Sequence, residues 1–153
     1  MRIICQRDRY RYIRLPIRFT NKQFKVDHNT NFCVDTGAPY SLVTYEQAVE
    51  WNIPLDKLTP TPSPHRVGGI EGQGYYLENS VMLFRDFKGK LQPIAVNKIV
   101  VLGPPFKLPG KPIPPLLGDD ILRQFTLIVK SDQQGGDIIL TNEEIQINFQ
   151  AVH

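Results

Sequence analysis

Phe32-Cys33-Val34-Asp35-Thr36-Gly37-Ala38 is the stretch that decides how this chain is read. Three apolar residues run into an aspartate, and a glycine follows two positions later. The pattern describes a buried strand ending in a turn, with a carboxylate at its tip. Asp-Thr-Gly alone is common by chance, and a turn aspartate closing a strand would account for it. The following residues add more. Thr44 stands three positions before Gln47, the spacing of a capping box, which predicts a short helix to about Trp51.

Upstream, Ile13, Leu15, Ile17 and Phe19 alternate with Arg14, Pro16 and Arg18, the period of a half-buried strand over roughly Tyr10 to Phe19. Thr20-Asn21-Lys22 reads as a turn. Phe24 and Val26 open a second strand, which the polar corner His28-Asn29-Thr30-Asn31 is expected to interrupt. Downstream, Ile53 to Pro64 is a proline-rich loop, and Val67-Gly68-Gly69-Ile70-Glu71-Gly72-Gln73-Gly74 is the most glycine-dense segment. Tyr75 to Arg85 and Leu91 to Leu102 read as strands around the turn Lys88-Gly89-Lys90. After a second proline-rich connection, Gly103 to Pro115, Leu116-Leu117-Gly118 leads to a short helix ending near Phe125. Asp119 and Asp120 suit its capping positions. Thr126 to Lys130 and Asp137 to Thr141 predict a hairpin about Gly135-Gly136. Frequent prolines and glycines, 13 and 11, separate these runs and argue for a mostly β domain.

The chain has 153 residues, 41% hydrophobic and 22% charged, which suits one globular domain over residues 1–153. Its apolar runs are far too short to cross a bilayer. The first residues turn polar too early for a secretory signal, so the expected location is cytoplasmic and no membrane partner is expected. The net charge is +3, with six arginines between Arg2 and Arg18. A basic arm for nucleic acid is one reading. The solvent face of a strand is preferred, because no nucleic-acid-binding signature accompanies the charge. Cys5 and Cys33 do not make a disulfide framework, and Cys33 reads as a small core residue. His28, His65 and His153 have no ligand-like spacing, so neither a metal nor another cofactor is expected.

Three elements in this order resemble the retropepsin-like aspartic peptidases, the family of the retroviral proteases and their prokaryotic relatives. They are the strand with Asp35-Thr36-Gly37-Ala38, the segment Val67-Gly68-Gly69-Ile70, and Pro115-Leu116-Leu117-Gly118 with Ile121-Leu122. The resemblance runs from about Arg11 to Thr141. It implies an all-β fold: a closed β-barrel half with a flap hairpin and one or two short helices. It also implies that Asp35 is the catalytic carboxylate, with Thr36, Gly37 and Ala38 as its supporting loop. Val67, Gly68, Gly69 and Ile70 become a substrate-covering flap, and Leu116, Leu117 and Gly118 a structural element beside the site. Tyr40, Tyr75 and Tyr76 suit either substrate pockets or strand packing. The chain departs from the retroviral pattern at Pro39 and Tyr40, where acidic residues are common. It departs again at Asp119, where an arginine is usual.

Amide hydrolysis by carboxylates needs one group to take a proton from water and another to hold or give one. Two carboxylates about 3 Å apart cannot both ionise readily and share a proton. The chain contains one Asp-Thr-Gly and no Asp-Ser-Gly, so it supplies one carboxylate. The second must come from another copy, which predicts a two-fold homodimer acting on an extended protein or peptide substrate. A non-catalytic module that keeps this fold for dimerisation or peptide binding is the alternative function.

Overall fold

The computed structural model describes residues 1–10, 12–104, 113–129 and 138–143. The strands are β1 (Arg2–Arg7), β2 (Ile13–Asn21), β3 (Val26–Val34), β4 (Leu42–Val43), β5 (Thr59–Pro60), β6 (His65–Val67), β7 (Ile70–Gly72), β8 (Gly74–Arg85), β9 (Leu91–Leu102), β10 (Leu116–Leu117), β11 (Thr126–Val129) and β12 (Ile138–Thr141). Two short helices, α1 (Tyr45–Glu50) and α2 (Asp119–Leu122), interrupt them. No helix among the described residues is long and apolar enough to cross a membrane.

Six strands close on themselves in the order β2-β3-β10-β4-β9-β8, with β8 returning to β2. The long β8–β9 hairpin pairs Gly74 with Leu102 and Arg85 with Leu91. Closure comes from β2 against β8, from Ile17 opposite Phe84 to Asn21 opposite Ser80. Alternation makes this possible. Leu15, Ile17 and Phe19 of β2 and Leu77, Met82 and Phe84 of β8 point inward and are fully buried. Asn21 is buried too, and its side-chain amide donates to the Glu78 carbonyl and the Ser80 hydroxyl, so the corner carries no unpaired donor there.

Helix α1 forms as its capping box predicts. The Thr44 hydroxyl accepts from the Gln47 amide, and the Gln47 side chain accepts from the Thr44 amide. It plugs the barrel with Ala48 and Trp51, whose indole stacks on Phe19 at 5.2 Å.

Several boundaries differ from the sequence expectation. β1 was not anticipated. Ile3 and Cys5 face inward and pair with Leu140 and Ile138 of β12, so the early arginines masked a real alternation. Of the early arginines, Arg2, Arg7, Arg14 and Arg18 lie on strands: Arg2 and Arg18 are exposed, and Arg18 makes two 2.6 Å bonds to Asp27 across β2–β3. β3 runs unbroken through the expected polar corner. Its backbone pairs with β2 throughout, and the α1 segment meets two of its polar side chains. His28 stacks on Trp51, and Thr30 accepts a bond from the Gln47 amide. β2 likewise extends to Asn21, which moves the turn to the residues after it. α2 stops at Leu122, short of Phe125, because a turn leads directly into β11. β11 and β12 pair as predicted. Arg11, most of the second proline-rich connection and the Gly135-Gly136 turn lie outside the described residues.

Candidate active site

Asp35 stands immediately after β3, where three short pairings converge. β10 lies parallel to β3, with Leu116 beside Cys33 and Leu117 beside Val34. The same Leu116 pairs antiparallel with Leu42 of β4, and β4 runs parallel to β9. The chain thus leaves β3, loops out through residues 35–41 and returns as β4 on the far side of β10. Val34, Leu42 and Leu117 are buried at the base of this loop, whereas Asp35 is half-buried and Thr36, Gly37 and Tyr40 are exposed.

Backbone bonds hold the loop. The Asp35 amide donates to the Leu117 carbonyl at 3.0 Å, and the Ala38 amide donates back to the Asp35 carbonyl at 3.2 Å. The Asp119 amide donates to the Ala38 carbonyl at 2.8 Å. One carboxylate oxygen of Asp35 accepts from the Gly37 amide at 2.9 Å, which fixes the side chain in the turn. A β-carbon on Gly37 would stand 3.3 Å from that oxygen, so the glycine keeps space beside the carboxylate.

A side-chain brace completes the loop, and the sequence reading missed it. One oxygen of Asp120 accepts from the Ser41 amide at 2.8 Å and from the Ser41 hydroxyl at 2.7 Å. The Ser41 oxygen accepts in turn from the Gly118 amide at 2.9 Å. The expectation that Asp119 and Asp120 serve the start of α2 is met in part: the same Asp120 oxygen also accepts from the Ile121 amide, in the first turn, at 3.0 Å. Gly118 occupies the cap position with no side-chain cap, and the Asp120 carboxylate turns back to hold the loop before β4. Ser41 is buried, so its amide needs an acceptor, and one Asp120 oxygen serves both it and the first turn of α2. Ser41→Ala is expected to leave the Gly118 amide unpaired and to cost about 1–3 kcal/mol. Urea denaturation measures this, and an unchanged midpoint would show the brace to be idle.

Gly118 permits the crossing. An added β-carbon would fall 2.5 Å from the carbonyl carbon and oxygen of Tyr40 and 2.8 Å from the Ala38 oxygen. These are backbone atoms, so no side chain can move aside.

The glycine-rich segment is a two-stranded hairpin, β6 with β7, with Val67 opposite Ile70. Gly68 and Gly69 have φ of 57° and 81°, the two left-handed residues of a tight hairpin turn. Val67 and Ile70 pack on a small second cluster of Leu42, Val100, Leu102 and Ile113, with Leu116 beside it. The hairpin is thereby seated on Leu42, the residue to which the Asp35 loop returns. Tyr40 reaches it directly, its ring edge-on to His65 at 6.2 Å. Tyr75 and Tyr76 are half-buried on β8 and carry strand packing.

On another side, Thr36 opens on a depression of about 210 Å³ lined by Asp119, Leu122, Arg123, Phe125, Leu127 and Leu140. Among the described residues, no group of three or more His, Cys, Asp or Glu is arranged to hold a metal.

The fold that this geometry defines is retropepsin-like. A retropepsin-like aspartic protease from Rickettsia conorii superposes with a TM-score of 0.59 and 20% identity, covering 92% of this chain and 90% of that one. The protease of EIAV, complexed with the inhibitor HBY-793, aligns over 76% of this chain and 89% of its own at 18% identity and a TM-score of 0.45. The retroviral protease-like domain of Ddi1 from Leishmania major aligns over 86% and 98% at 13% identity and a TM-score of 0.41. No family model matches the sequence, and no curated protein matches it significantly.

Proposed function

We propose that the chain is an aspartic endopeptidase whose site forms when two copies bring their Asp35 carboxylates together. One carboxylate takes the proton from an attacking water, and the other holds the proton given to the scissile amide. The observation that carries this reading is the placement of Asp35. A half-buried carboxylate stands at the tip of a rigid strand, oriented by the Gly37 amide, in a loop braced from both flanks and exposed at its crest. A purely structural aspartate would be expected to bond more fully within its own chain.

The dimer is supported by two features. Each chain carries one Asp-Thr-Gly. Thr36 is exposed beside a depression lined by four apolar residues with Asp119 and Arg123, which suits cover by a second copy. In that pairing Thr36 lies beneath the two carboxylates and Gly37 and Ala38 line the floor. Val67, Gly68, Gly69 and Ile70 form the flap over an extended peptide, and Leu116, Leu117 and Gly118 support the loop. Neither metal nor organic cofactor enters this chemistry, and neither nucleic acid nor membrane is a partner. We place the protein in the cytoplasm. Cys5 and Cys33 are both free and buried, in keeping with a reducing compartment, and burial pushes the Cys5 thiol up to about 11.

Concentration dependence tests the proposal. Cleavage of a peptide library per unit of protein is expected to rise with protein concentration, in step with a two-copy species seen by sedimentation. A strictly monomeric protein that cleaves would overturn the shared site. A dimer that binds extended peptide analogues without cleaving them would favour the non-catalytic binding module.

A further inference from the structure

His65 opens the flap hairpin at the point where it meets the barrel, just after Pro64. Its imidazole edge lies over Gly74, the first residue of β8. A β-carbon at Gly74 would overlap the His65 Cδ2, and would stand 2.9 Å from Nε2 and 3.1 Å from a Val100 methyl. Gly74 thus serves as a seat for a ring. The edge-on Tyr40 ring closes one side of this seat. His65 Nε2 is buried and has no hydrogen-bond partner among the described residues.

The surroundings determine which protonation state fits. Facing the ring are Tyr40 from the loop after β3, Tyr76 from β8, Val100 from β9 and Thr61 and Ser63 from the loop after β5. Among the described residues, no carboxylate lines this depression. On the hairpin itself, Arg66 and Glu71 pair with each other at 2.9 Å. Lys98 sits over the Tyr76 ring at 5.0 Å and pairs with Glu78 at 3.6 Å. No anion is therefore in place to compensate an imidazolium, and a neutral ring is the species that fits.

We propose that His65 is a proton-sensitive latch that seats the flap when neutral and releases it when protonated. The latch stands on the hairpin geometry alone; its meaning as control of substrate entry rests on the peptidase reading. The direction follows from linkage. Burial lowers the seated imidazole below the ordinary histidine range. A lifted imidazole, back in water, keeps its ordinary affinity for the proton. As pH falls through that range the lifted form gains a proton that the seated form refuses. The lifted population then grows by up to about tenfold per pH unit, until the seated ring also protonates. The flap is thus held down near neutrality and freed in mild acid.

Methyl NMR of the full chain carrying Asp35→Asn tests this without any dependence on catalysis. The reporters are the Val67 and Ile70 methyls, which rest on Leu42, Val100 and Leu102. Between about pH 8 and pH 5, the Ile70 signal is expected to shift along a line, with a midpoint matching the His65 imidazole titration. Gly74→Ala fills the seat and is expected to show the lifted position at every pH. His65→Phe keeps an aromatic ring but cannot take a proton, and its Ile70 signal is expected to stay at the seated position throughout. An Ile70 signal that follows pH equally in His65→Phe would overturn the latch. So would a static signal while His65 itself titrates. Failure of the peptidase reading would leave these spectra unchanged, so the two ideas fall separately.

Discussion

Asp35→Asn is expected to lower peptide cleavage by at least about 10²–10⁴-fold, the usual contribution of general acid–base catalysis, while folding and pairing persist. The amide has nearly the shape of the carboxylate, and its oxygen can still accept from the Gly37 amide that now holds Oδ1 at 2.9 Å. The side chain is half-buried at a loop crest, so little packing depends on its charge. What is lost is the ability to move a proton. Rates on a peptide library, with circular dichroism and sedimentation on the same sample, separate these effects. Undiminished cleavage in this variant would end the assignment of Asp35 as the catalytic group.

Gly118→Ala is expected to cost about 3 kcal/mol or more, the upper end of what overpacking usually costs, and to abolish any activity with it. One methyl group would meet the Tyr40 carbonyl at 2.5 Å and the Ala38 oxygen at 2.8 Å. Relief requires α2 to move away from the loop. That motion would stretch the bond from the Asp119 amide to Ala38 and break the contacts among Gly118, Ser41 and Asp120. The expected signature is a lowered urea midpoint together with lost inhibitor binding. A variant as stable as the parent would mean that the two segments are not in contact in solution.

These two residues also differ in how far the sequence reveals them. The position of Asp35 at the end of a buried strand is legible because that signal is local: an apolar run and the glycine that ends it. Gly118 is legible as part of a Leu-Leu-Gly element, but its reason is not. That reason is the backbone of Tyr40, brought alongside only when β10 inserts between β3 and β4. The Gly68-Gly69 turn is a similar mixture. Two glycines between apolar residues announce a tight hairpin, but not that Val67 and Ile70 rest on Leu42 and Val100. Nor does the sequence distinguish these glycines, with positive φ, from Gly74, whose use is to leave room for His65.

The sequence by itself determined whatever depends on neighbours a few residues apart. Alternation marked β2, the turn Lys88-Gly89-Lys90 separated β8 from β9, and the Thr44–Gln47 spacing marked the start of α1. Each of these is a local balance of propensity, capping and periodic burial, which the chain carries wherever it goes. Only the tertiary structure decided the rest. The polar run His28 to Asn31 stays in a strand because β2 pairs its backbone, while Trp51 and Gln47 meet His28 and Thr30, and Asn29 and Asn31 face solvent. β1 is a strand because Leu140 and Ile138 wait opposite Ile3 and Cys5. Asp120 reaches beyond its helix end because Ser41, 79 residues away, offers it two donors. In each case the deciding term is a buried polar group or apolar face that must be satisfied by something distant in sequence. No local pattern encodes which distant partner folding brings close.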